Sequence, residues 1–161
     1  MFYSFIMLQR IQTIWLFLAG VSIFLLFLFP YLQILNANGT AKVIQVTGVF
    51  ENIGGQVVST RGFTGLTIAT VLLGLLPFLV IFFYANRKRQ IALCYVTIVA
   101  ILGFSFWLVQ TAKSVIGDIQ LQIQNYGIGI ILPSLSVLFI ILALRGIRND
   151  EKLIKSADRL R

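Results

Sequence analysis

Apolar residues run through this chain in four long blocks, separated by charge. Arg10 and Lys42 bracket the first uncharged stretch, Arg61 and Arg87 the second, Arg89 and Lys113 the third, and Asp118 and Arg145 the fourth. Each is longer than the about 20 residues a helix needs to cross the hydrocarbon core of a bilayer. The pattern predicts helical spans at Ile11–Leu32, Phe63–Tyr84, Ile91–Thr111 and Tyr126–Leu144. The first block has no small-x-small cleavage site after it, so it reads as an uncleaved span and not as a signal peptide. Pro77 falls inside the second span and predicts a kink, because proline removes a backbone hydrogen bond.

The segments between the spans carry a different period. Lys42–Phe50 is rich in β-branched residues, Asn52-Ile53-Gly54-Gly55 supplies a turn, and Gln56–Ser59 resumes an extended pattern, so this stretch reads as a hairpin. Asn36–Thr40 reads as a turn before it. Asp118–Gln124 alternates polar and apolar residues strictly, the period of a half-buried strand. A hairpin alone is marginal in water. The expectation is therefore a small sheet built from both connecting loops, 33–62 and 112–125.

Composition strengthens the membrane reading. Hydrophobic residues make up 58% of the chain and charged ones 11%, against about 45–50% and about 25% in soluble domains. The formal net charge of +8 would suggest nucleic acid on a soluble protein. Here the basic residues gather between apolar blocks, which points to anionic lipid headgroups and not to nucleic acid. Arg10, Arg87, Lys88, Arg89, Arg145, Arg148, Lys152, Lys155, Arg159 and Arg161 fall on one side of the four spans, and Lys42, Arg61 and Lys113 on the other. The richer side is expected to be cytoplasmic, which puts both ends of the chain inside. Arg87-Lys88-Arg89 is read as a tight basic hairpin loop. In the tail, 145–161, Asn149 reads as the cap of a new helix with Asp150 and Glu151 in its first turn. Leu153, Ala157 and Leu160 then give a short amphipathic helix. The fold class expected is an all-α membrane protein: one domain over residues 1–161, a four-transmembrane-helix bundle with a small extracytoplasmic β-sheet. Its layout is similar to that of claudin-like proteins, without their paired outer cysteines.

Chemistry is sparse. The chain has one cysteine, Cys94, and no histidine, which excludes a disulfide within the chain and the usual zinc sites. A serine nucleophile lacks a histidine base. No charge lies inside the predicted spans, whereas ion-coupled carriers usually keep one there. Gly127 and Gly129 are too little for a phosphate loop. No enzyme and no cofactor is expected. Small residues recur at Gly65/Ala69 and Thr70/Gly74, a spacing that lets helices approach closely. The candidate interaction residues are Arg10, Arg87, Lys88 and Arg89 with Asp150, Glu151, Lys152, Asp158 and Arg159, and Arg10 is placed to pair with a tail acid.

Met7–Leu16 (MLQRIQTIWL) resembles the opening of a family of small four-span proteins from the Bacteroidota, catalogued as a domain of unknown function. The tail from Arg145 to Arg161 is similar to that family's ending. The resemblance implies an inner-membrane location and no established activity. The function expected is a non-catalytic scaffold or accessory subunit that meets a membrane-protein partner or further copies of itself. The alternative is an oligomeric transporter or channel for a lipid or apolar solute. Family members tend to begin where Met7 stands here. A chain started at Met7 is therefore expected to reach the membrane fraction as the full sequence does, measured by fractionation and carbonate extraction.

Overall fold

A computed structural model describes residues 2–35, 41–54, 56–84, 86–116 and 125–158, with side chains at 2–10, 35, 53 and 153–158 outside the description. The turn expected at Asn36–Thr40 and the strand expected at Asp118–Gln124 lie outside the described residues.

Helix α1 spans Phe2–Phe24 and α2 Thr64–Phe82. Helix α3 spans Arg87–Ile116 and α4 Leu132–Asp158. Three stretches, Thr64–Phe82, Arg87–Ile116 and Ile128–Lys152, are long and apolar enough to cross a membrane, and Ile11–Phe27 is a shorter apolar helix. Helix α1 packs on α2 and α4, and α3 packs on the same two neighbours.

The helices meet along stripes of one period. Buried positions fall at Gln12, Leu16, Ala19, Ile23 and Leu26 at the α1 end, and at Leu66, Thr70, Leu73, Pro77 and Val80 in α2. Gln90, Cys94, Thr97, Ile101, Phe104 and Leu108 continue the pattern in α3, and Ser136, Ile140, Ala143, Ile147 and Asp150 in α4. Steps of four and three alternate in all four. This is the seven-residue repeat that suits helices packed side by side at shallow angles. A second stripe faces outward. In α2 it is Ile68, Leu72, Leu75, Leu79 and Phe82, each at least 45% exposed. An apolar face of that length is stable only against lipid or protein.

Polar groups in the stripes are satisfied locally. Thr70, Thr97 and Ser22 each donate to the carbonyl four residues earlier, and Ser136 Oγ donates across helices to Ala19 O at 2.9 Å. The Thr70/Gly74 pair packs within the chain. A Cβ at Gly74 would stand 2.8 Å from the Phe24 ring, and one at Gly20 would stand 2.5 Å from the Phe78 ring, so α1 and α2 exchange aromatic rings over each other's glycines. Gly65 faces Trp107 of α3. Pro77 is buried inside an unbroken α2.

The first predicted span ends early. Leu25–Phe27 tightens to a 3-10 turn, and the N–H groups of Leu28 and Phe29 both donate to Leu25 O. Pro30 then offers no N–H and disfavours helix at the residue before it. Leu32, the last residue of the predicted span, instead opens strand β1, Leu32–Leu35. Strand β2 is Ala41–Gln45, β3 Gly48–Ile53 and β4 Gln56–Gly62, in an antiparallel meander ordered β1-β2-β3-β4. Lys42–Phe50 is thus two strands and not one, turning at Val46-Thr47, with Gln45 opposite Gly48. That turn is held by the fold around it: Val46 is fully covered, Thr67 of α2 donates to its carbonyl at 3.2 Å, and a Cβ at Gly48, which closes the turn, would collide with Arg61 O. The β3–β4 turn does follow its sequence signal, with Gly54 at φ 62°, a conformation other residues rarely adopt. All four strands come from the first connecting segment. The second segment adds to the sheet, among the described residues, a single bridge between Leu32 and Tyr126.

Filling the α1–α2 crossing should be costly. Gly74→Leu is expected to lose about 1–3 kcal/mol by overpacking. Gly103→Ala is the control, since a Cβ there meets nothing within 4 Å, and it should gain about 0.5–1 kcal/mol. Thermal unfolding in detergent micelles measures both.

Candidate functional site

The seven-residue phase of α4 carries a carboxylate into the core. Asp150 follows Ala143 and Ile147 in the buried stripe and is 1% exposed. The tail is accordingly not a separate helix capped at Asn149: α4 runs unbroken through it to Asp158. Gly146 does not stop the helix because it is a contact point. A Cβ there would stand 2.8 Å from Gln12 Cγ, so its absence lets α1 close on α4 one turn before Asp150.

Two donors from other helices converge on one oxygen. Gln12 Nε2 donates to Asp150 Oδ2 at 2.6 Å, and Arg87 Nη1 donates to the same atom at 3.0 Å. Gln12 is itself buried, and the Arg87 side chain is 21% exposed. Asp150 Oδ1 is buried with no hydrogen-bond partner among the described residues. Burying an ion costs several kcal/mol, which a close pair with good geometry offsets.

Arg87 is positioned by the start of α3. Arg87, Lys88 and Arg89 were expected in a loop, but they form the first turn of this helix. Asn86 makes that possible, since its Oδ1 accepts from the Arg89 N–H at 3.3 Å and its carbonyl accepts from the Gln90 N–H at 3.0 Å. Cations at a helix N-terminus oppose the macrodipole, and Asp150 offsets that penalty at Arg87. One turn on, buried Gln90 donates to Val80 O at 3.4 Å and ties α3 to the end of α2. All four helices are thus joined at this end. A second α3–α4 link is exposed: Arg148 lies over the Tyr95 ring, 5.4 Å from its centroid, and donates to its hydroxyl.

Of the residues singled out in the sequence, Arg87 and Asp150 come together. Lys88, Arg89 and Lys152 are exposed, and Glu151 is half-buried. Arg10 and Asp158 sit on helical backbone with side chains outside the description, and Arg159 lies outside the described residues. Gln12, Gln90, Tyr95 and Arg148 were not singled out. The signal for the first two was available, because Gln12 is in phase with Leu16 and Ala19, and Gln90 with Cys94 and Thr97. Among the described residues no three potential metal ligands gather.

The sheet end holds a cavity of about 420 Å³ between α3 and α4. Leu108, Ala112 and Pro133 wall it, and Tyr31 and Leu32 floor it. The floor is fixed from both sides: the Tyr31 N–H donates to Ile44 O, and Tyr31 O accepts from the Gly127 N–H, each at 3.1 Å. Gly127 and Gly129 serve this close approach. A Cβ at Gly129 would stand 2.7 Å from Phe29 O, and one at Gly127 would collide with Pro30 O. The Tyr31 hydroxyl is buried and has no hydrogen-bond partner among the described residues.

Helices apolar on inner and outer faces, a meander sheet at one end and a neutralised carboxylate at the other define a small helical membrane protein. The chain belongs to the family described as Domain of unknown function (DUF4293), which matches residues 8–160. No curated protein and no solved structure matches the chain.

Removing one member of the buried group should cost far more than removing all three. Arg87→Leu is expected to destabilise by about 3–5 kcal/mol, with Gln12→Leu/Arg87→Leu/Asp150→Leu, which leaves none of the three polar groups buried without its partner, close to the parent. Unfolding of the two variants in mild detergent distinguishes a structural clamp from an exposed, weakly coupled pair.

Proposed function

We propose that this chain is a four-span inner-membrane protein with both ends cytoplasmic, acting as a non-catalytic scaffold or accessory subunit. The apolar helix Ile11–Phe27, just past Arg10, is at the short end of the about 17–25 residues a span takes and supplies the fourth span beside the three longer ones. Gln12 of α1, Arg87 at the start of α3 and Asp150 in α4 meet at one point, which supports placing the basic-rich segments on one side of the bilayer.

The observation that carries the scaffold reading is the free edge of β4. It is the last strand of the sheet, all seven of its residues are exposed, and Val57 is 71% exposed. Proteins usually blunt such edges with charge, proline or a bulge. Here a register shift near Thr60 and the charge of Arg61 protect one end, leaving Gln56–Ser59 open. The occupant we assign to it is an extended segment of another membrane protein, adding a strand to the sheet. Meanwhile the interior is used for holding the helices together: its stripes are filled, and its buried carboxylate is bonded within the chain.

The runner-up is an oligomeric transporter for a lipid or apolar solute, which the cavity between α3 and α4 favours. A cysteine at Val57, crosslinked in native membranes, separates the readings. The scaffold reading expects one recurrent heterologous membrane protein on the crosslink. Crosslinks only to the chain itself favour an oligomer, and a chain that stays a free monomer throughout counts against both.

A further inference from the structure

The cavity at the sheet end has a polarity that the scaffold reading does not use. Its depth is apolar and buried, at Leu32, Leu108, Ala112 and Pro133. Its rim is exposed on the outer surface of the helices, at Val109 and Ser134, so the opening is lateral, toward the solvent of the outward apolar stripes. Polar groups collect where α3 ends. Lys113 stands exposed in the last turn of α3, with no ion pair among the described residues, and Tyr126 is 45% exposed beside it on the same rim.

We propose that this cavity binds one anionic lipid, with an acyl chain in the apolar depth and its headgroup at Lys113 and Tyr126 on the rim. The inference rests on the chain lying in a bilayer. The volume of about 420 Å³ falls within the about 300–1,000 Å³ of small-ligand sites. A wholly apolar solute would leave Lys113 without a counter-charge. A soluble anion would leave the apolar walls unfilled. An anionic amphiphile meets both, and a lateral opening is the route by which a bilayer supplies one. Lysine and tyrosine at the membrane–water boundary are also the side chains that reach headgroups with an apolar body still in the chain region.

The test is lipid retention by native mass spectrometry of the full chain. The protein is equilibrated with vesicles of phosphatidylcholine, alone or mixed with phosphatidylglycerol, and then extracted in mild detergent. The parent should retain one phosphatidylglycerol in preference to phosphatidylcholine. Lys113→Gln should weaken that retention by about tenfold, the loss expected for one charge-assisted hydrogen bond, and leave phosphatidylcholine unchanged. Tyr126→Phe should weaken retention less than Lys113→Gln does, since it removes a neutral hydrogen bond and not a charge-assisted one. Ala112→Phe should abolish retention by filling the depth, and Ser134→Trp at the exposed rim does the same if the first variant fails to fold. Equal retention of the two lipids, or retention unchanged in folded Ala112→Phe or Ser134→Trp, overturns the site. So does stabilisation by inorganic phosphate alone that matches stabilisation by phosphatidylglycerol. Recovery of the parent in the carbonate-soluble fraction would instead refute the membrane placement, a separate failure.

Discussion

A carboxylate out of water must be neutralised by groups the chain itself brings to it, and Asp150 imposes that demand on three helices. Its Oδ2 takes a proton donor from α1 and another from α3, so the axial register of both helices against α4 is fixed at one point. The seven-residue stripes then propagate that register along the molecule. Ala19 meets Ser136, Trp15 stacks on Phe139 with centroids 5.7 Å apart, and the ring–glycine exchange locks α2 to α1. Apolar stripes alone tolerate a slip of one repeat at modest cost. A single polar position in such a stripe penalises every slipped arrangement, because each leaves a buried ion unpaired.

Much of this was legible in the residues, and the failures share a cause. The four apolar blocks and the extended pattern of the first loop follow from hydropathy and β-branching, which are local. What hydropathy does not encode is where an apolar run changes conformation. Leu32–Leu35 is as apolar as the helix before it, and Pro30 is the one residue that marks the change. Val46-Thr47 turns with Gly48 as its one local signal, set among β-branched residues that read as a continuous strand. Arg87–Arg89 and Arg145–Asp150 were assigned to a loop and a new helix because charge was read as the boundary of a helix. Charge bounds the apolar core, but the helices themselves continue past it. Asp150 was read as a surface acid for the same reason, although its phase with Ala143 and Ile147 places it inside.

The two ends of the molecule are built on opposite principles. At the Asp150 end every helix contributes, through contacts between residues far apart in sequence. At the other end the sheet is a meander in which each strand pairs with its sequence neighbour, and β4, among the described residues, pairs with a strand on one side only. Rigidity is concentrated where the helices converge. Free hydrogen-bonding capacity is concentrated at β4, and that asymmetry directs attention to the sheet when a partner is sought.

The position of Asp150 near the end of the chain has a consequence for biosynthesis. Gln12 precedes it by 138 residues and Arg87 by 63. Both donors are therefore translated and inserted before their acceptor exists, and a nascent chain holding α1, α2 and α3 carries an uncompensated arginine at the mouth of its helices. Completion of the last turns of α4 supplies the missing counter-charge and closes the register in one step. A chain cut short before residue 150 would possess nearly all of these apolar stripes and still lack the contact that fixes their register.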